Sequence, residues 1–236
     1  MVSIAGADAH HLAHVLRLGI GDALRIVVEG DPPHAHAATV RSVTGSTLHC
    51  ELKEEIEATN TASAPRLSVA QALFQDDIDV AVRGLSELGV DEILPFISER
   101  SVVRPDPGRQ ARRQARWQEI ARHEAALGYH FAVASVAAVA TFDALLAAAK
   151  PGIHCIVLDL DSTARPLVEC LPPSTTAILL AIGPEGGFTD GERRKLSEAS
   201  FQAAHLGPHT FRAQYAGIIS AALVMAHYGA FAPPPA

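Results

Sequence analysis

Two segments of this chain place residue types where chemistry could use them. In the first, an apolar run from Thr176 to Ile182 reads as a buried strand and passes straight into Gly183-Pro184-Glu185-Gly186-Gly187. A helix follows Thr189 or Asp190, with Glu192 in its first turn. Glycines at such a junction permit positive φ and let a ligand lie directly against the backbone. The spacing is neither GxGxxG nor GxxxxGK followed by Ser or Thr, which excludes the dinucleotide fingerprint and the phosphate loop. By residue type alone the run serves a chain reversal as readily as a binding loop. The second segment, Leu206-Gly207-Pro208-His209-Thr210-Phe211-Arg212-Ala213-Gln214-Tyr215-Ala216, joins a short strand to a helix of small residues. Histidines invite a metal reading, because His10 and His14 stand at i, i+4 and His34 and His36 flank a turn. Neither set has a third ligand nearby, so no metal is expected. Cys50, Cys155 and Cys170 are odd in number and widely spaced. That pattern opposes a disulfide framework and a zinc site, and points to core thiols in a reducing, cytoplasmic setting.

The elements that must carry these segments fall into two groups. Residues 1–60 read as a small β-rich unit: a helix-like stretch over Ala9–Leu16, then strands over Ala23–Val28, Ala37–Val43 and Thr47–Leu52. Closely spaced short strands of this kind predict a small barrel. Glu54–Pro65, polar and closed by proline, is the expected linker. From residue 66 to 236 strands alternate with helices. Strands are expected at Leu67–Leu73, Ile93–Ile97, Ile153–Leu158, Ala177–Ile182 and Phe201–Leu206. Helices are expected at Ile78–Leu88, Arg109–Leu127, Phe142–Ala149, Asp190–Ala199 and Ala213–Tyr228, and a frayed tail at Ala232–Ala236. The alternation predicts an α/β domain with a mostly parallel sheet covered on both faces. Ligands of such sheets bind beyond the carboxyl ends of strands, where both glycine segments lie.

Composition bounds the function classes. With 48% hydrophobic and 19% charged residues the chain suits a soluble globular protein. No apolar run is long enough for a membrane helix, and Met1–Asp8 lacks the basic and apolar regions of a signal peptide. The net charge of −7 gives no overall support to nucleic-acid binding. A local stripe of Arg100, Arg104, Arg109, Arg112, Arg113 and Arg116 could still supply it.

Taken together, the two segments resemble the SPOUT superfamily, and within it the RsmE-type uridine-N3 methyltransferases of small-subunit ribosomal RNA. Gly183 to Phe188 matches the family's IGPEGGF fully; Leu206-Gly207, Arg212 and Ala216 match its LGxRILRxETA in register. Upstream, His10-His11-Leu12, Val15-Leu16-Arg17-Leu18 and Gly21-Asp22 are similar to the family's HHLxxVLRLxxGD. Ser86-Glu87-Leu88-Gly89-Val90, Ser98-Glu99-Arg100-Ser101-Val102, and Arg116-Trp117 with Glu124-Ala125 follow its ELGV, SERSV and RW…EA segments. The match covers nearly the whole chain in order.

The resemblance implies an S-adenosylmethionine-dependent methyltransferase: a PUA-like β-barrel followed by a trefoil-knotted α/β domain, dimeric and without a metal. It places Leu180, Ile182, Gly183, Glu185, Gly186, Leu206, Gly207 and Phe211 around the cofactor. Arg17, Arg100, Ser101 and His130 would face substrate, while Arg212 would orient it, with His209 and Tyr215 as polar groups beside it. Arg212 also has a plainer reading as a helix-end arginine in an ion pair. Glu87 and Glu124 are expected to be structural, and Trp117 to pack a helix or a dimer contact.

Several positions depart from the family pattern. Leu73-Phe74-Gln75-Asp76-Asp77 lacks the family's lysine and arginine, and Leu127-Gly128-Tyr129-His130 replaces its EQSxR. His209 stands for arginine and Gln214-Tyr215 for Glu-Thr, and the Arg-containing first strand of the barrel has no counterpart. The leading expectation is N-methylation of a uracil-type base in small-subunit ribosomal RNA. A relative methylating a small heterocyclic molecule and a catalytically silent RNA- or cofactor-binding relative are the rivals.

Overall fold

The computed structural model describes residues 1–28, 34–45, 47–56, 64–74, 78–104, 106–160 and 163–231. The linker's centre, Gln75–Asp77 and the tail from Ala232 lie outside the described residues. The chain divides into two compact units, Met1–Asn60 and Thr61–Ala236.

The first unit contains β1 (Val2–Ile4), α1 (Gly6–His10) running into a π-helical turn (His11–Val15), β2 (Ala23–Val28), β3 (His34–Thr44) and β4 (Thr47–Ile56). β3 and β4 form a hairpin whose turn includes Gly45 at φ 60°. The strands make an antiparallel sheet in the order β1-β4-β3-β2. Among the described residues β1 and β2 do not pair, and the strands of the expected small barrel form a four-stranded sheet. Closure would need first and last strands to meet at a common tilt and stagger, and β1 offers only three residues. One face is apolar: Ala38, Val40, Leu48 and Cys50 are buried with Ala9, and Leu12, Leu18 and Leu24 pack against them.

The second unit contains β5 (Arg66–Ala72), α2 (Asp79–Leu88), β6 (Glu92–Ile97), α3 (Pro107–Leu127), β7 (Ser135–Val136), β8 (Ala140–Thr141) and α4 (Phe142–Ala147). It continues with β9 (Ile153–Leu158), β10 (Arg165–Pro166), α5 (Leu167–Cys170), β11 (Ala177–Ile182), α6 (Asp190–Glu198), β12 (Gln202–His205) and α7 (Ala213–His227). The sheet runs β10-β12-β9-β11-β5-β6-β7, with β8 also on β6, and every pairing is parallel. Both faces are buried, and alternate residues serve opposite cores. Leu67, Val69, Ile178, Leu180 and Ile182 join the core that holds residues of α2, α3 and α7, whereas Ala70, Ala72, Leu179 and Ala181 join the one that holds Leu145, Phe188 and Leu196. Two-sided burial explains why these strands read as unbroken apolar runs.

Local signals set the helix ends. α3 starts where Asp106 caps the Arg109 N–H at 3.0 Å, with Pro107 in its first turn. α2 stops at Gly89, whose φ of 80° only glycine adopts cheaply. Trp117 is 1% exposed and donates Nε1–H to Asp79 at 3.0 Å, packing α3 on α2. Glu124, buried, pairs with Arg83 of α2, and Cys155 and Cys170 fill core positions.

Candidate active site

Strands β12, β9 and β11 are consecutive in the sheet, and their carboxyl ends release the two glycine segments at one edge. Neighbouring strands lie about 4.8 Å apart, so the segments leave the sheet roughly 10 Å from each other, with the end of β9 between them. Phe188 anchors the first. It is 1% exposed and lies parallel to Phe96, ring centroids 6.4 Å apart. A Cβ on Gly183 would stand 3.0 Å from the Phe188 ring, so a side chain there would push that ring back by a few tenths of an ångström. Gly187 and Gly207 hold φ of 65° and 102°. A side chain at either would meet nothing within 4 Å. The backbone is therefore bare and open at both strand ends.

The glycine loop is bolted to the loop after β6. Arg100 Nη1 donates to the Gly186 carbonyl at 2.7 Å and to that of Phe188 at 3.4 Å. Thr189 Oγ1 donates to Glu99 Oε2 at 3.1 Å, and the Glu99 N–H donates to Glu192 Oε1 at 2.9 Å. Glu192 also closes a capping box, accepting from the Thr189 N–H at 3.0 Å while Thr189 Oγ1 accepts from its own N–H at 3.2 Å. Arg193 grips Asp159 at the end of β9 at 2.7 Å, and hydrogen bonding to that carboxylate pushes the already high guanidinium pKa up further. At β12, His205 Nδ1 accepts from the Gly207 N–H at 3.0 Å, which leaves the ring proton on Nε2.

The candidates taken from sequence distribute as follows. Gly183, Glu185 and Gly186 lie on the first loop, the last two exposed. Leu206 and Gly207 are half-buried on the second, and Phe211 is 39% exposed. His209 and Arg212 are exposed there, and Tyr215, 49% exposed, opens the first turn of α7. Arg212 caps α7 with its backbone, its carbonyl accepting from the Tyr215 and Ala216 N–H groups at 3.0 and 2.9 Å. Its guanidinium has no ion pair among the described residues. Leu180 and Ile182, 0% and 2% exposed, turn their side chains into the core, so at this edge they offer backbone only.

Three further candidates have these surroundings within their own units. Ser101 is buried, its hydroxyl accepting from the Ser98 N–H at 3.1 Å. Arg17, exposed at φ 57°, belongs to the first unit. His130 sits at the opposite, amino-terminal edge of the strands. Its Nε2 lies 2.8 Å from the Glu87 carbonyl, and its ring fills the space a Cβ on Gly89 or Gly128 would take, each 2.7 Å away. There it locks the end of α2 to the end of α3. A cleft of about 380 Å3 lined by Arg66, Gly89, Asp91, Met225 and Tyr228 occupies that same edge, away from both glycine segments.

Sequence reasoning missed the bolts. Thr189 and Glu192 carry a visible Thr-x-x-Glu capping signal, but Glu99, Asp159 and His205 act through partners distant in sequence or through turn geometry. The residues present fit S-adenosylmethionine: two bare glycine backbones suit close approach by a nucleoside and an amino-acid moiety, and Leu206 with Phe211 supplies apolar surface for a base.

Comparison with known proteins gives family matches over most of the chain. The model of the RNA methyltransferase domain family matches residues 62–225, and that of the RNA methyltransferase PUA domain matches residues 4–31. The chain is 27% identical to ribosomal RNA small subunit methyltransferase E of Bacillus subtilis, covering 91% of this chain and 85% of that one. It is 26% identical to the Synechocystis protein of the same name, over 95% of this chain and 73% of that one. Among solved structures, a ribosomal RNA small subunit methyltransferase E from Neisseria gonorrhoeae bound to S-adenosyl methionine superposes with a TM-score of 0.83 at 26% identity, covering 95% of this chain and 91% of that one.

Proposed function

Because the chain belongs to the RNA methyltransferase domain family, we propose that it transfers the methyl group of S-adenosylmethionine to a ring nitrogen of a uracil-type base in small-subunit ribosomal RNA. The observation that supports this reading is the pair of glycine loops at the ends of β11 and β12, where Gly207, assigned to the cofactor by the resemblance, and Gly187, next to the assigned Gly186, leave open space where a Cβ would stand. S-adenosylmethionine supplies a methyl group already activated on sulfonium. The protein's task is then alignment and removal of one imide proton. Gly183, Gly186 and Gly207 hold the cofactor through backbone groups, and Phe188 with Arg100 keeps the first loop in shape. Arg212, His209 and Tyr215 sit together on the second loop and the first turn of α7. Arg212 is well suited to steady the uracil carbonyls as negative charge develops on the ring.

The same reading includes a trefoil knot at the glycine loops and a homodimer, the latter supported by large apolar side chains left exposed on α7, Tyr215 and Leu223. It also includes action in the cytoplasm, where ribosomal subunits are made. No helix among the described residues is long and apolar enough to cross a membrane. A bacterial strain lacking the small-subunit uridine methylation tests the proposal. Expression of this chain should restore the methylated nucleoside, and expression of Arg212→Ala should not. Failure of the wild-type chain to restore it would reject ribosomal RNA as substrate and turn attention to small heterocycles.

A further inference from the structure

The chain carries 26 acidic against 19 basic residues, yet five of its arginines fall between positions 104 and 116 with a single acid, Asp106, among them. Four of these, Arg109, Arg112, Arg113 and Arg116, lie on α3 and are all exposed. At about 100° per residue they share an arc of roughly 100°, and at about 1.5 Å rise they line some 10 Å of helix. Arg109 pairs with Asp106 and Arg116 with Asp79. Arg112 and Arg113 have no hydrogen-bond or ion-pair partner among the described residues.

A solvated helix face normally mixes charges of both signs, as the second half of α3 does with the exposed Glu119 and Arg122. The first half does not. Its inner side is held rigidly: Gln114 donates to the Val136 carbonyl at 3.1 Å, and Gln118 exchanges bonds of 3.0 and 2.9 Å with Ala134 and Val136. The stripe also begins where the bolted loop ends, since Arg104 donates to the Glu99 carbonyl at 2.9 Å. By contrast, residues 1–60 hold four basic and eight acidic side chains. A unit of that balance is poorly equipped to grip phosphates.

We propose that the arginine face of α3 is the main phosphate-binding surface for the RNA substrate, with Arg112 and Arg113 as its uncommitted cations. The inference rests on the RNA methyltransferase reading and adds the place where the backbone docks. RNA held along this face runs toward the loop that shapes the cofactor site.

The test is fluorescence anisotropy of a labelled small-subunit ribosomal RNA fragment titrated with protein across a salt series. Losing two phosphate contacts flattens the log–log salt slope by about 1.4 to 1.8. The double variant Arg112→Gln/Arg113→Gln should show that loss and a raised KM for RNA, with unchanged kcat and cofactor Kd. Arg112→Glu/Arg113→Glu should weaken binding further. Arg165→Gln, which removes an exposed arginine elsewhere in the same unit, should leave the slope alone. A wild-type slope in the double variant, or equal flattening by Arg165→Gln, overturns the proposal while methylation by the wild type leaves the function standing. A wild-type protein that neither binds nor methylates RNA overturns both.

Discussion

The guanidinium of Arg100 donates to the Gly186 carbonyl at 2.7 Å, and its stem lies under that glycine, with Cδ 3.4 Å from where a Cβ would stand. The arginine that the family resemblance assigns to substrate therefore already shapes the glycine loop after β11. Arg100→Ala removes a charge-assisted bond at an exposed position, a loss of about 1 kcal/mol, or roughly fivefold in cofactor Kd. Arg100→Lys should recover part of the loss, because both bonds come from the single Nη1 and an ammonium also carries several donor hydrogens. Calorimetric titration with S-adenosylmethionine reads both. An unchanged Kd in Arg100→Ala would remove the residue from the loop's support.

Glu192 should matter more to stability than its place in an N-terminal helix turn suggests. It is 5% exposed and takes the N–H groups of both Glu99 and Thr189. Glu192→Ala leaves two donors without their acceptor and costs about 2–3 kcal/mol. Glu192→Gln keeps one carbonyl acceptor and should lose less. Urea denaturation monitored by circular dichroism measures the difference.

His130 is predicted to stabilise the second unit without touching catalysis in its own chain. His130→Ala opens the space against Gly89 and Gly128 and loses the bond to the Glu87 carbonyl, a cost of about 1–3 kcal/mol. The melting temperature should fall, while KM for RNA stays at the wild-type value. A raised KM with an unchanged melting temperature would return His130 to the substrate side.

Burial raises the pKa of the Cys50, Cys155 and Cys170 thiols above the ordinary 9.0. At pH 8 the native protein should react slowly with iodoacetamide, and all three thiols should react once urea unfolds it. Since the folded pKa lies above the unfolded one, the unfolded chain loses these protons first. Their contribution to stability is complete below 9.0 and is lost as pH climbs through the folded values. Chevron or equilibrium denaturation from pH 8 to 10.5 should show stability declining, less so in a variant with all three cysteines replaced by alanine when each is referred to its own value at pH 8.

Much of this was legible in the sequence, and the exceptions share a cause. The buried strand from Ala177 to Ile182 and the stop of α2 at Gly89 are local signals, and both occur where the pattern places them. The strands β7, β8 and β10 have two residues each and exist only through their neighbours, so no periodicity could announce them. The turn glycines after β11 and β12 were readable because backbone conformation constrains residue type. The side chains that hold them were not, because the contact of Arg100 with Gly186 spans 86 positions. The contact of His130 with the Glu87 carbonyl, 43 positions away, was hidden for the same reason. A position in a family motif carries no information about which neighbours the new side chain will find.

The most direct test of the account is methyl transfer in vitro. Folded protein, labelled S-adenosylmethionine and small ribosomal subunits lacking the modification are incubated together, and the digested RNA is examined by mass spectrometry. The account predicts label in one uridine derivative, lost in Arg212→Ala with cofactor binding retained. Protein that is shown to bind the cofactor yet leaves every nucleoside unlabelled would contradict it.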